Sequence, residues 1–332
     1  MVMPYEVAMA TCNGERFLDQ QIASILGQTL PPQRLLVADD HSSDATLQLL
    51  KCWQRSSTIP IELLPPFGSA RLGSCRNFER LIQASAAPYL MLADQDDIWD
   101  HDKAMKLLQQ MNLLEKRLGS NSPLLVHADL RLIDTEGRLL ASSFHRHQGL
   151  DPDREGVLEI GMQNVVTGCA SLVKRASVRE AFPFPGEVVV QDWWLALVAA
   201  QEGAVVYLPE PCVSYRQHQT NVVGVAGWRR QLLRRMRQVL APNWQDVAAD
   251  MISPSLLQLR ACIVRLDPVS ELRARLELLW SHSCWVRLRT ALGLGLRKHG
   301  LWRTAGFYVA LVCCRPAGHC GRDVPSSVNL QA

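Results

Sequence analysis

Three carboxylates within four residues, Asp94, Asp96 and Asp97, follow the apolar run Tyr89-Leu90-Met91-Leu92-Ala93. Like charges gathered at the end of a buried strand repel one another unless a cation sits among them. A hard divalent ion meets that need: Mg2+ takes one or two protein carboxylates together with substrate phosphate oxygens. The stretch therefore points to a metal–diphosphate site on the rim of a sheet. Taken alone, it reads equally as a polar loop capping a helix from about Asp102, Asp being a frequent N-cap. A further acid, Asp192, opens another helical stretch and is followed by Trp193 and Trp194. It can be a cap, and the two rings can be core. An acid beside large aromatic faces also suits a pyranose.

The elements that must position these residues alternate in type. Val7-Ala8-Met9-Ala10 reads as a first strand and ends in Thr11-Cys12-Asn13-Gly14, a turn with Asn-Gly punctuation. Phe17, Leu18, Ile22, Ile25 and Leu26 then recur at helical spacing until Gln28 and the Pro31-Pro32 pair. Leu35-Leu36-Val37-Ala38 is a second buried strand, ending in Asp39-Asp40, and Ser42-Ser43-Asp44 opens a second helix. Ile61 to Leu64 predicts a third strand and Phe78 to Ile82 a third helix; the acid-tipped run is the fourth strand. Such alternation predicts an α/β fold with a mostly parallel, doubly wound sheet. Ligands of such sheets bind beyond the carboxyl ends of the strands. Three polar ends converge there: Thr11 to Asn13, Asp39-Asp40 and Asp94 to Asp97. Later, Leu124 to Asp129 reads as a strand, Leu130 to Leu140 as a hairpin through Glu136-Gly137, and Val205 to Leu208 as one more strand.

Composition narrows the classes. The 332 residues are 48% hydrophobic and 20% charged, enough for a large core. Ten cysteines show no C-x-x-C pair, which argues against a zinc site or disulfide framework and for a reducing compartment. There is neither G-x-x-x-x-G-K-[ST] nor, after the first strand, G-x-G-x-x-G. No apolar run reaches about 18 residues, and the amino terminus lacks the pattern of a signal peptide. A cytoplasmic location is expected. Residues 1–224 hold 19 Lys/Arg against 26 Asp/Glu, net −7, and residues 225–332 hold 16 against 6, net +10. Basic residues interleave with leucines around Trp228 to Arg237, and again as Arg287, Arg289, Arg297, Lys298 and Arg303 around Leu288, Leu292, Leu294, Leu296 and Leu301. This predicts basic amphipathic helices at 225–315, suited to an anionic membrane surface or to a solvated arginine face. Residues 316–332 read as a loose tail. No nucleic-acid motif is present.

Five stretches in order resemble the family 2 glycosyltransferases of the GT-A fold. They are Val7 to Glu15, Gln21 to Thr29, Ala38 to Thr46, Leu92 to Trp99 with its D-x-D, and Asp192 to Val198. Gln163 to Cys169, Asp192-Trp193-Trp194 and Tyr215-Arg216-Gln217-His218 are similar to the bacterial rhamnosyltransferase-like branch. The resemblance covers roughly residues 5–224, the expected glycosyltransferase domain. It implies that Thr11 and Asp39 hold the nucleotide base, that Asn13 belongs to the nucleotide-sugar site, that Arg76 and Asn77 help close the donor site, and that Asp94 touches the ribose. It further implies that Asp96 ligates Mg2+ or Mn2+, with His218 approaching the metal, and that Asp192 is the general base, with Trp193 and Trp194 beside the sugar. A basic group, Arg76 or Arg216, would add hydrogen bonds to the diphosphate. His41 stands where the family usually has Gly, Arg71 where it commonly has Asn, and Gln191 where the branch often has His. The implied activity is inverting transfer of a sugar, L-rhamnose from dTDP-rhamnose, onto a hydroxyl of a growing, lipid-linked surface polysaccharide, with peripheral attachment at the inner face of the membrane. Another donor such as a UDP-hexose, a nucleotidyltransferase, and a non-catalytic carbohydrate-binding protein remain open.

Overall fold

The computed structural model describes residues 3–218, 244–267 and 269–314. The expected basic helix around Trp228 to Arg237 and the tail from Pro316 lie outside the described residues. The chain forms two compact units. One comprises residues 1–144, 166–184 and 190–217; the other comprises 145–165, 185–189 and 218–332.

The first unit is built on a nine-stranded sheet. Its strands are β1 (Tyr5–Thr11), β2 (Arg34–Asp39), β3 (Ile61–Leu63), β4 (Tyr89–Ala93), β5 (Ile98–Trp99), β6 (Leu124–Ile133), β7 (Leu139–Ala141), β8 (Ser171–Lys174) and β9 (Ala204–Arg216). The order is β3-β2-β1-β4-β8-β6-β9-β5, with β7 paired to β6. The first four strands are parallel, as expected. β8 runs antiparallel to both β4 and β6, so the second half of the sheet is mixed. Helices α1 (Leu18–Leu26), α2 (Thr46–Ser56), α3 (Ser74–Ala84) and α4 (Lys103–Leu118) link or follow the parallel strands. The remaining short and long helices of this half are α7 (Arg175–Ala181) and α8 (Gln191–Glu202), which come after α5 (Phe144–Gln148) and α6 (Val157–Met162) in the chain.

Local sequence explains these elements. Strands covered on both faces must be apolar throughout, and every residue of β4 is buried. α1 buries Leu18, Ile22 and Ile25, spaced four and three apart, so one face meets the sheet. The predicted hairpin is present: β6 and β7 pair antiparallel, and Gly137 takes the left-handed φ of +83° that the turn requires. β9 is longer than its apolar core suggests. It passes through Pro209 and Pro211, and its register against β6 shifts there, as expected where a ladder hydrogen bond is missing.

The second unit is helical. Beyond α6 it contains α9 (Trp244–Leu266), α10 (Glu271–Glu277), α11 (Cys284–Gly293) and α12 (Leu301–Cys313). Ser270 and Ser283 cap α10 and α11 through their side-chain oxygens. α9 packs on α6 closely enough that a Cβ on Gly161 would lie 2.7 Å from Leu259 Cδ1. In the first turn of α11, Arg287 donates from Nε to Leu311 O (2.7 Å) and from Nη2 to Val312 O (3.2 Å). These carbonyls end α12, so the two helices form an antiparallel hairpin with a cation on an orphaned C-terminus.

That bond corrects the expectation of an outward arginine face in part: Arg289 and Arg297 are exposed, but Arg287 and Lys298 are buried, and half-buried Arg303 donates to the carbonyls of Gln148 and Gly149. Leu301 points out instead. Leucine spacing cannot assign the inner face of a helix with apolar residues all round it.

Candidate active site

Strand register builds the site. Thr11 and Asp39 are paired neighbours at the ends of β1 and β2, and Met9 pairs with Ala93 on β4. The polar residues after these strands therefore start level. On the other side of β4, Met91 pairs with Leu172 of the antiparallel β8. Continuing that register brings the turn before β8, Gly168-Cys169, up to the acidic residues that follow β4.

At the β1–β2 edge, the Thr11 hydroxyl donates to Asp39 Oδ1 (2.9 Å), and Asp39 Oδ2 accepts the Ser42 N–H (2.9 Å). Asn13 and His41 both hold left-handed backbones, at φ +52° and +57°. His41 thus occupies a conformation that favours glycine. Asn13 Oδ1 accepts the Ser43 N–H (2.8 Å), which ties the two turns together. Asp40 is buried and accepts the N–H groups of Leu72 (2.8 Å) and Gly73 (2.9 Å), pinning the entry to α3. Within α3, Asn77 is 1% exposed and donates to Ala38 O (2.7 Å). This corrects its expected donor-site role: the amide anchors α3 to β2. Arg76 is partly exposed and pairs with Glu79 at 2.5 Å.

At the β4 edge, Asp94 and Asp96 are half-buried and Asp97 is fully buried. Burial, then the charge of Asp96, then that of Asp192, pushes Asp94 up to about 7. Asp97 is driven well above the carboxylate range by burial, followed by Asp96 and Asp94. Its Oδ1 accepts the Arg216 N–H (3.1 Å), and its carboxyl also meets the Cys169 thiol. One ligand atom each from Asp94, Asp97 and Cys169 lies within 4.8 Å of the others. The carboxylates suit a hard cation. Burial lifts the Cys169 thiol well above its ordinary value. Beneath them, buried Lys103 donates to Cys169 O and sits 3.0 Å from the Trp99 ring centroid. Burial pulls its ammonium down to about 7.

Asp192 comes from the first turn of α8, where a carboxylate also meets the helix dipole favourably. Its Oδ2 accepts the Gly168 N–H (2.8 Å). A Cβ on Gly168 would meet Asp192 Cβ at 3.3 Å, so the turn and the acid approach closely. One oxygen is thereby oriented, and Asp192 bears electrostatically on Asp94.

Two further expectations are corrected. Trp194 is fully buried, donates to Ala181 O (3.0 Å) and packs edge-on to Phe184; Trp193 is 5% exposed. These rings are core, with no face open to a pyranose. Arg216 is 2% exposed, and its guanidinium donates to Asp96 O (2.9 Å), Asp134 O, Thr135 O and Gln20 Oε1. It clamps the acidic loop instead of facing a diphosphate. His218 belongs to the second unit and is half-buried.

Gln95, Lys103, Cys169 and Arg216 are the site residues that motif reading left without a role or misplaced. Lys103 carries one sequence signal, a lysine at the first turn of the helix that follows the acids. The others depend on partners more than 45 residues away in the chain.

The comparisons with known proteins agree with this geometry. TarS from S. aureus, in complex with UDP-GlcNAc, superposes with a TM-score of 0.52 at 12% identity, over 93% of this chain and 90% of that one. Mannosyltransferase PcManGT from Pyrobaculum calidifontis, in complex with GDP-Man and Mn2+, gives 0.52 at 15% identity, over 93% and 85%. The fold is that of the GT-A glycosyltransferases. Residues 6–118 match the family model described as Glycosyl transferase family 2. Over 230 residues the chain is 26% identical to dTDP-rhamnosyl transferase RfbG of Shigella flexneri, covering 65% of this chain and 73% of that protein.

Proposed function

We propose that the chain is an inverting glycosyltransferase that moves a sugar from a nucleoside diphosphate to an acceptor hydroxyl. The observation that carries this reading is that Asp192, held by the Gly168 N–H, stands close enough to the acids after β4 for its charge, with that of Asp96, to raise the Asp94 carboxyl. Crowded carboxylates at the strand ends suit a cation and its diphosphate, while a separate, backbone-oriented carboxylate suits proton removal.

Thr11 and Asp39 take the base, with Asp39 accepting the ring N–H of a uracil or thymine. Asp94 meets the ribose, and Asp96 with its neighbouring acids holds Mg2+ or Mn2+, which would supply Lewis-acid charge to the departing diphosphate. Asp192 removes the acceptor proton, a role worth about 10²–10⁴-fold. One displacement with one base inverts the anomeric centre. The similarity to RfbG, named a dTDP-rhamnosyl transferase, favours dTDP-rhamnose as donor; the acceptor in this reading is a growing, lipid-linked surface saccharide.

A donor screen that follows nucleoside diphosphate release tests the reading. dTDP release from dTDP-rhamnose, dependent on a saccharide acceptor and abolished by EDTA, is expected. Asp192→Asn keeps the Gly168 hydrogen bond through its amide oxygen, yet turnover should fall about 10²–10⁴-fold. Near-normal turnover in that variant would remove Asp192 from the mechanism.

A further inference from the structure

We propose that the outward face of the α11–α12 hairpin docks on the surface of an anionic lipid bilayer. This goes beyond the transferase reading and uses none of its residues.

The outward face of α12 inverts the usual pattern. A surface helix presents charged residues to water and apolar residues to the core. α12 does bury Phe307, Ala310 and Leu311. Its opposite side exposes Leu301, Trp302, Ala305, Gly306, Val309, Val312 and Cys313. At about 100° per residue these span an arc of roughly 140°, and none of them is charged. Leu301 is 87% exposed, Trp302 71% and Val309 58%. On α11, Trp285 is 75% and Leu292 57% exposed. The hairpin is antiparallel, so the two tryptophans, each near the start of its helix, fall at opposite ends. Tryptophan concentrates at the membrane–water boundary, where its ring is apolar and its N–H stays wet.

Charge selects the occupant. From Leu278 to Arg322 the sequence has no Asp or Glu but seven Lys or Arg. Among them, Arg289 and Arg297 are exposed. Anionic headgroups supply the missing negative charge. A second copy of this face would instead oppose arginine to arginine. It is also small: helix faces about 15 and 20 Å long and about 10 Å wide offer roughly 350 Å2, against about 800 Å2 per partner in a stable protein interface. No helix among the described residues is long and apolar enough to cross a membrane. With 13 residues, α12 is about 20 Å long against a hydrocarbon core of about 30 Å, so it lies in the plane of the interface.

Flotation of the full chain with phosphatidylcholine vesicles, with and without phosphatidylglycerol, tests this. The chain should rise with the anionic vesicles and far less with the neutral ones. Trp302→Glu combined with Val309→Glu, both on the outward arc, should cut partition about tenfold or more with the thermal unfolding transition retained. In case that variant misfolds, brominated lipids provide a second readout. They should quench part of the wild-type tryptophan fluorescence, and that part should vanish in Trp285→Phe/Trp302→Phe. A wild type that stays at the bottom with anionic vesicles overturns the proposal, as does a folded glutamate variant that floats unchanged. So does a dimer in sedimentation that the same glutamates dissociate, which would make a second copy the occupant.

Discussion

The side chain of Gln95 and the backbone of Cys12 hydrogen-bond reciprocally: the Cys12 N–H donates to Oε1 at 2.8 Å, and Nε2 donates to the Cys12 carbonyl at 2.9 Å. Gln95 lies between Asp94 and Asp96, so this pair fixes the acidic loop to the turn after β1. A Cβ on Gly14 would fall 2.2 Å from the same Oε1. Gly14→Ala must therefore displace Gln95 and leave the Cys12 groups unpaired, at a cost of about 1–3 kcal/mol. In a Gln95→Ala background the same substitution should cost much less. Urea unfolding of the two single variants and the double variant measures that coupling.

Arg216→Lys should destabilise the first unit by about 2–4 kcal/mol, because lysine cannot serve carbonyls on both sides of the guanidinium at once. Donor KM should rise with it, since the Asp96 carbonyl loses its anchor. Arg76→Ala, at a partly exposed pair, should leave the unfolding midpoint almost unchanged. Equal midpoints for the two variants would contradict the clamp.

Trp194→Phe should lose about 1 kcal/mol with the Ala181 bond, and Trp194→Ala about 3–5 kcal/mol. Donor and acceptor KM of the phenylalanine variant should stay near wild type. A selective rise in either KM, without loss of stability, would restore the ring to the sugar site.

His299 gives the second unit a pH dependence. Its Nδ1 accepts the Asp151 N–H (2.7 Å), and burial, followed by nearby Arg154, pulls it down from 6.5 to about 4. Arg303 and His145 act in the same direction, while Asp151 opposes them. The folded form stays neutral where the unfolded chain takes up a proton. Stability is therefore present above about pH 6.5 and is lost as pH falls toward 4, by about 2–3 kcal/mol. His299→Gln should flatten that slope in denaturant titrations at stepped pH.

The parallel half of the sheet was legible because strands buried on both faces are continuous apolar runs, and their acid-tipped ends mark where a ligand binds. Asp39, Asp94 and Asp192 fall where those ends and a helix start put them. What stayed hidden depends on partners far along the chain. Nothing local marks Arg216 as buried, since its partners are carbonyls at 96, 134 and 135. An aromatic pair after an acid has the same spelling in a core as in a sugar cleft. The direction of β8 is set by which neighbour it joins, not by its own four residues. His41 shows the reverse case: an ordinary side chain held in a glycine-like conformation, which the family's usual glycine foreshadowed.

The seam between β4 and β8, where the all-parallel run of strands ends, also divides the first unit by origin. On the near side, everything assigned to the nucleotide comes from one uninterrupted stretch of the first hundred residues. On the far side, the turn at Gly168 and the acid at position 192 arrive separately, after excursions into the other unit. Under the proposed reading, the grip on the activated donor and the base that meets the acceptor are carried by separate stretches of the chain.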